Sequence, residues 1–141
     1  MVIDSSAIAA ILFAESEARA FLAEIAAAGI CRLSAANFVE IGIVVRRDAS
    51  GARKRAFDEL MRTFQIQIEP VTKEQAVIAL DAYEKFGKGS GHPASLNYGD
   101  SFAYALAKQF GEPLLFKGGD FIHTDISPAH LAGRPAPGGA P

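Results

Sequence analysis

Four acidic residues stand in places where water-exposed carboxylates are uncommon. Asp4 follows a short apolar run and precedes an apolar helical pattern, while Glu40 and Asp100 each lie within an apolar helical pattern. Asp120 follows the apolar run 113–116 across a Gly-Gly turn. A buried carboxylate is costly unless it is protonated, paired with a cation or bound to a metal ion. No Lys or Arg stands one helical turn from Asp4 or Asp100, so these acids are candidates for a cation site.

An all-oxygen set of ligands suits Mg²⁺ or Mn²⁺. At such a site we expect Asp4 and Asp100 to be direct ligands. Glu40 would complete the ligand set or hold a water, and Asp120 would serve a second ion or an outer water. Ser6 could orient Asp4 or cap a helix.

Each acid also has a purely structural interpretation. Asp4 could cap a helix, and Asp100 could favour its own helix dipole. Asp120 could be a turn residue, and Asp125 is a weaker competitor for its place among the four acids. The histidines, at positions 92, 123 and 130, are predicted in loops, a marginal strand or the tail, and are interpreted as ordinary surface residues.

Short apolar runs that alternate with longer helical patterns predict an α/β fold with a central, mainly parallel sheet. The carboxyl ends of parallel strands meet at one edge, where ligands bind, so we expect Asp4 and Asp120 there, with Glu40 and Asp100 on helices that lean over it. Predicted N-caps are Ser5 or Ser6, Ser34, Thr72 (with Gln75 in a capping box) and Asn97. The predicted strands are 1–3, 30–33, 66–71, 113–116 and a marginal edge strand at 122–126, and the predicted helices are 5–13, 15–28, 35–48, 52–64, 73–86 and 98–110.

The length of 141 residues, half of them hydrophobic, fits one domain. We assign it to residues 1–131 and predict that the Pro- and Gly-rich tail 132–141 is disordered. A single cysteine, Cys31, excludes an internal disulfide and favours a reducing, cytoplasmic setting. The apolar segment 7–14 is too short to span a bilayer, so we expect no membrane association.

The net charge of −2 at first argues against a nucleic-acid partner. The charge is unevenly distributed along the chain, however. Residues 46–55 hold five basic side chains and a single acidic one, Asp48, for a local charge of 5 − 1 = +4. This segment is either a phosphate-contacting patch or a solvated helix junction. The early apolar residues could receive a partner helix, mediate homodimerisation or simply pack in the core; they are Ile8, Ile11, Leu12, Phe13 and Phe21.

Three segments carry motifs of a known family: Val2–Ala7, Asn37–Glu40 and Leu96–Ala107. They resemble PIN-domain proteins and, more narrowly, the VapC toxins of bacterial VapBC toxin–antitoxin modules. The ending Pro113–Ile126 is similar to that subfamily too, so the resemblance runs in order from residue 1 to about residue 131.

This resemblance implies a three-layer α/β/α domain that is an Mg²⁺- or Mn²⁺-dependent ribonuclease with a cognate VapB antitoxin as partner, as a homodimer or a hetero-oligomer. The family's acidic residues carry over to Asp4, Glu40, Asp100 and, in the fourth place, Asp120. Many relatives have two successive Asp where this chain has Gly119 and Asp120, so any role of the first is missing here.

Two alternatives remain open from the sequence. The first is a PIN-fold binding module that has lost catalysis, for which Gly119 is the argument. The second is a small-molecule phosphohydrolase with an aspartyl nucleophile. Against it, Asp4 is followed by Ser-Ser rather than by another Asp two positions on, and no phosphate-binding Gly-rich loop follows a strand.

Overall fold

A four-stranded parallel sheet forms the centre of the computed structural model, which describes residues 1–129. The strand order is β3–β2–β1–β4, and Val2 pairs with both Arg32 and Leu114. The strands are β1 (Val2–Ile3), β2 (Arg32–Ser34), β3 (Gln67–Glu69) and β4 (Leu114–Leu115).

Six helices cover the two faces of this sheet: α1 (Ser5–Leu12), α2 (Ala18–Ala27), α3 (Ala35–Arg46), α4 (Ala52–Thr63), α5 (Lys73–Phe86) and α6 (Tyr98–Phe110). Successive side chains of a strand point to opposite faces. Ile3 and Leu115 therefore join a core with α1–α4, whereas Val2 and Leu114 join a second core with α5 and α6. The predicted three-layer α/β/α architecture with a parallel sheet is confirmed.

Capping residues fix the beginnings of several helices, as predicted. The side chain of Ser34 accepts from the Ala36 N–H, and that of Thr72 accepts from the Gln75 N–H. The Gln75 side chain donates to Gln109 instead of closing a capping box. The first helix differs from the prediction, because its N-cap is Asp4 and neither Ser5 nor Ser6.

The predicted edge strand at 122–126 is wrong. Residues Phe121–His123 form a 3₁₀ turn, in which the Phe121 ring packs into the core against Phe116. The chain returns to β4 only later, where Leu114 pairs with Pro128. Of the four intervening residues, Thr124 and Asp125 are held by side-chain hydrogen bonds rather than in a ladder.

The domain boundary at residue 131 and the tail 132–141 lie outside the described residues, as does His130. Within residues 1–129, no helix combines the length and the apolar character needed to cross a membrane.

Candidate active site

Asp4 joins the end of β1 to the beginning of α1. Its Oδ2 accepts a hydrogen bond of 2.9 Å from the Ser6 N–H, so it does cap the helix. Its Oδ1 is buried and has no hydrogen-bond partner within residues 1–129. Burial raises the pKa of Asp4, the hydrogen bonds from Ser6 oppose the rise, and the charge of Glu40 adds to it. One oxygen caps the helix, and the other is buried without a partner in the described part of the chain.

Asp100 lies in the first turn of α6. It forms a complete capping box with Asn97, with both hydrogen bonds at 2.9 Å, so the structural interpretation of this acid is also correct. Burial is the main reason that the pKa of Asp100 rises to about 7. The backbone of Asn97 opposes the rise, and the negative charges of Asp4, Asp120 and Glu40 increase it. The other three predicted acids therefore all lie within electrostatic reach of Asp100.

Glu40 and Asp120 are exposed, unlike Asp4 and Asp100. The apolar pattern around Glu40 had predicted a buried face, yet Ile43, one turn further on, is 53% exposed as well. The Glu40 carboxylate is nevertheless held in place, because Oε1 accepts from the Ser5 hydroxyl. Asp120 stands at the beginning of the 3₁₀ turn that follows β4.

Asp125, the competitor of Asp120, has a different environment. It accepts hydrogen bonds from the Tyr104 hydroxyl at 2.7 Å and from Lys108 at 2.9 Å, and these contacts lower its pKa. Asp125 also borders a groove of about 430 Å³ that none of the four candidate acids lines. It is a clamp between α6 and the chain after β4.

The chemistry of the donors fits a divalent cation. The charges of three carboxylates act on that of Asp100, one buried Asp4 oxygen is unpartnered, and no basic side chain of residues 1–129 forms a salt bridge with any of the four. Hard oxygen ligands of this kind suit Mg²⁺ or Mn²⁺. As the side chains lie, however, no group of three His, Cys, Asp or Glu in the described part of the chain could hold an ion. Holding one at three carboxylates therefore requires these side chains to move closer together.

Several contacts around the acids link segments distant in sequence, and the sequence analysis did not predict them. The hydroxyl of Ser6 accepts from the Lys117 N–H at 3.0 Å, which ties α1 to the loop that carries Asp120. Asn37 donates to the Gly99 carbonyl oxygen at 3.0 Å, and Ser5 donates to Glu40. The only signal in the sequence for these contacts is that Asn37 lies one helical turn before Glu40 and Gly99 lies one residue before Asp100.

The remaining candidate features have mixed outcomes. Ile8 and Phe21 are buried in the core, so core packing accounts for them, whereas Phe13 is 40% exposed beneath the guanidinium of Arg53. His92 is half-buried and packs edge-on against Phe86, and His123 is exposed. In the basic segment, Lys54 forms a salt bridge with Asp58, and the side chains of Arg46 and Arg55 donate to backbone carbonyls of Gly42 and Ser50.

Comparison with known proteins identifies the class to which this chain belongs. The family model of the PIN domain matches residues 1–127. A solved structure described as Mycobacterium tuberculosis VapC20, a sarcin-ricin loop cleaving toxin, matches with a TM-score of 0.69 at 14% identity and covers 89% of this chain and 95% of that one. A toxin–antitoxin complex from Klebsiella pneumoniae matches with a TM-score of 0.62 at 15% identity, covering 85% and 88%. At these identities the two structures establish the fold alone.

Relatives at higher identity locate the chain within that class. Ribonuclease VapC28 of Mycobacterium tuberculosis is 49% identical over 129 residues, which cover 92% of this chain and 97% of the relative. Ribonuclease VapC42 of the same organism is 46% identical with 92% and 98% covered, and VapC30 is 42% identical with 93% and 99% covered. The chain belongs to the PIN-domain family, in its VapC branch.

Proposed function

We propose that this chain is a metal-dependent endoribonuclease, the toxin of a type II toxin–antitoxin module. The active site that hydrolyses RNA would consist of Asp4, Glu40, Asp100 and Asp120. The observation that carries the proposal is that Asp4, Glu40 and Asp120 are all near enough for their charges to raise the pKa of Asp100, while a buried Asp4 oxygen has no partner within residues 1–129. Relatives that are 42% to 49% identical over nearly their whole length are named ribonucleases, which supports the same activity here.

Each acid has a distinct part in this proposal. Asp4 and Asp100 would bind Mg²⁺ or Mn²⁺ directly, since both are buried and their charges are uncompensated. Glu40 would complete the ligand set or hold a water, and Asp120 would serve a second ion or an outer water. A bound ion of this type acts as a Lewis acid on the phosphate and makes a coordinated water more acidic.

A VapB-type antitoxin is the partner that membership of the VapC branch supports. The solved Klebsiella structure with the same fold is itself a toxin–antitoxin complex. Co-expression with the product of a small neighbouring reading frame should yield a stable complex whose RNA cleavage is lower than that of the free chain. Independent elution of the two proteins would exclude that partner.

The first prediction concerns the two buried acids. Asp4→Asn and Asp100→Asn should each lower RNA cleavage by about 100-fold or more, because each loses a charged ligand at the reacting phosphate. EDTA should stop the parental reaction, and Mn²⁺ should raise the melting temperature of the parent far more than that of either variant. A fluorescent RNA assay and thermal unfolding measure the two effects.

Asp81→Asn is the matched control, because Asp81 is exposed on α5 and loses the same charge. It should keep parental cleavage and the parental response to Mn²⁺. If the Asp4 and Asp100 variants cleave as fast as this control, the assignment of the site is wrong. If the parent neither cleaves RNA nor responds to Mn²⁺, the catalytically silent binding module is the better explanation. Gly119 favours that alternative, and so does the fact that no three of these acids could hold an ion as they lie.

A further inference from the structure

Gly99 leaves room for the carboxylate of Glu40. It is buried in the first turn of α6, directly before Asp100. A Cβ at this position would stand 2.9 Å from Glu40 Cδ and closer still to Oε2. The φ of Gly99 is not in the left-handed region, so the backbone itself would accept any L-residue. The lack of a side chain therefore matters here for the space that Glu40 fills.

Asn37 holds the two helices at this separation. It lies one turn before Glu40 on α3, and its side chain is fully buried. Its amide group donates to the Gly99 carbonyl oxygen at 3.0 Å, which joins α3 to the first turn of α6. Ser5 donates to Glu40 from a third element, α1. Glu40, although exposed, is thus located by three separate helices.

We propose that Gly99 and Asn37 are positioning residues for Glu40. Asn37 fixes α3 against α6, and the missing Cβ of Gly99 lets the Glu40 carboxylate lie against the first turn of α6, one residue before Asp100 of the candidate metal site. The inference rests on the proposed function, because the position of Glu40 affects catalysis only if this site cleaves RNA.

Gly99→Ala separates positioning from folding. The nearest atoms that the new methyl group meets belong to a long, exposed side chain, which can rotate away, rather than to the buried backbone. Alanine also favours a helix more than glycine does. We therefore expect a melting temperature equal to or above that of the parent, while the Glu40 carboxylate is displaced and loses its contact with Ser5.

The effect is measured by Mn²⁺ binding, from the electron paramagnetic resonance signal of free Mn²⁺, and by the kcat of RNA cleavage. We expect Gly99→Ala to weaken Mn²⁺ binding and to lower kcat by about 10- to 100-fold each, the usual result of disturbing a group that orients a metal site. Gly42→Ala is the matched control, since it adds the same methyl group to a buried helical position where only the guanidinium end of the long, exposed Arg46 side chain is near, at 3.1 Å. It should keep the parental values.

A double-mutant cycle tests whether Gly99 acts through Glu40. In the background of Glu40→Ala the space is free, so Gly99→Ala should fold and change kcat and Mn²⁺ binding by no more than about 2-fold. An equal loss in both backgrounds, parental values for Gly99→Ala, or failure to fold in both backgrounds would each overturn the positioning role. A parent that neither binds Mn²⁺ nor cleaves RNA would instead overturn the proposed function.

Discussion

Asp4 and Asp100 show how one carboxylate can serve the fold and still be available for chemistry. Each gives one oxygen to the first turn of its own helix, and such a cap stabilises the helix. Neither is neutralised by a basic side chain, so the buried negative charge remains costly. A structural role at these positions is therefore no argument against a catalytic one.

Protonation of Asp100 should make the metal-free protein more stable in mild acid. The pKa of Asp100 is about 7 in the folded chain, against an ordinary 3.8. The stabilisation that comes from protonating Asp100 is therefore fully present below about pH 4 and is lost as the pH rises through 7. In EDTA, the free energy of unfolding should fall between pH 5 and pH 8. Asp100→Asn should remove most of this fall and be more stable than the parent at pH 8, by at most about 4 kcal/mol. Urea unfolding at several pH values measures it.

Asp81→Asn again provides the control and should keep the parental pH dependence. Burial also raises the pKa of Asp4, so Asp4→Asn, like Asp100→Asn, should reduce the fall in the free energy of unfolding between pH 5 and pH 8. A parental stability that does not change from pH 5 to pH 8 would contradict the assignment of a raised pKa to Asp100.

The sequence predicted the buried acids because their neighbours in the chain are informative. Asp4 and Asp100 have apolar residues and no cation one turn away, a pattern that local sequence displays directly. The exposure of Glu40 was not predictable, because the faces of α3 are set by how it packs on α6 and the sheet. The contacts of Ser5 with Glu40 and of Asn37 with Gly99 span 35 and 62 residues, and single-sequence periodicity carries no information about such pairs.

At the scale of the elements, helix beginnings were more predictable than strands. A cap is a local hydrogen bond between a side chain and the backbone of the next turn, and Ser34, Thr72 and Asn97 were identified from it. The strands are two or three residues long, so their alternation is too short to define their ends. The mistaken strand at 122–126 results from side-chain contacts that alternation does not reveal, since Phe121 packs on Phe116 and Asp125 binds Tyr104.

The clamp at Asp125 gives an element-scale prediction. Asp125→Ala should lower the free energy of unfolding by about 1–2 kcal/mol, because the Tyr104 hydroxyl, on a buried side chain, loses its acceptor. RNA cleavage should stay within about 2-fold of the parent. Asp120→Ala should do the reverse, with parental stability and reduced cleavage. Urea unfolding and the RNA assay on both variants measure these effects.

Tyr104→Phe provides a second test of the same clamp. It should destabilise the chain by an amount similar to Asp125→Ala, and the double variant should cost little more than either single one. If Asp125→Ala removes cleavage while Asp120→Ala leaves it intact, the fourth acid of the proposed site is Asp125, and the clamp is not its main role.

For the whole molecule, the distribution of charge matters more than its sum. The total is −2, yet three of the candidate acids act on the charge of the fourth, Asp100, while residues 46–55 concentrate positive charge. Helix α3 links the two regions, because Arg46 follows Glu40 by six residues, about 9 Å along the helix axis at 1.5 Å per residue. An RNA strand whose phosphate lies at the acids could therefore be contacted by this segment.

Arg47 and Arg55 are exposed, and neither forms a salt bridge within the described residues, so they are the cations to test. Changing both to Ala should weaken RNA binding. It should also make the plot of log affinity against log salt concentration less steep by about 1.4, because each of the two lost phosphate contacts on a single strand contributes roughly 0.7. The kcat at saturating RNA should not change, since neither residue touches the acids. Arg19→Ala with Arg62→Ala removes the same two charges elsewhere and should leave the slope at its parental value. Equal effects of the two pairs would mean that only net charge matters, and that residues 46–55 are a solvated helix junction.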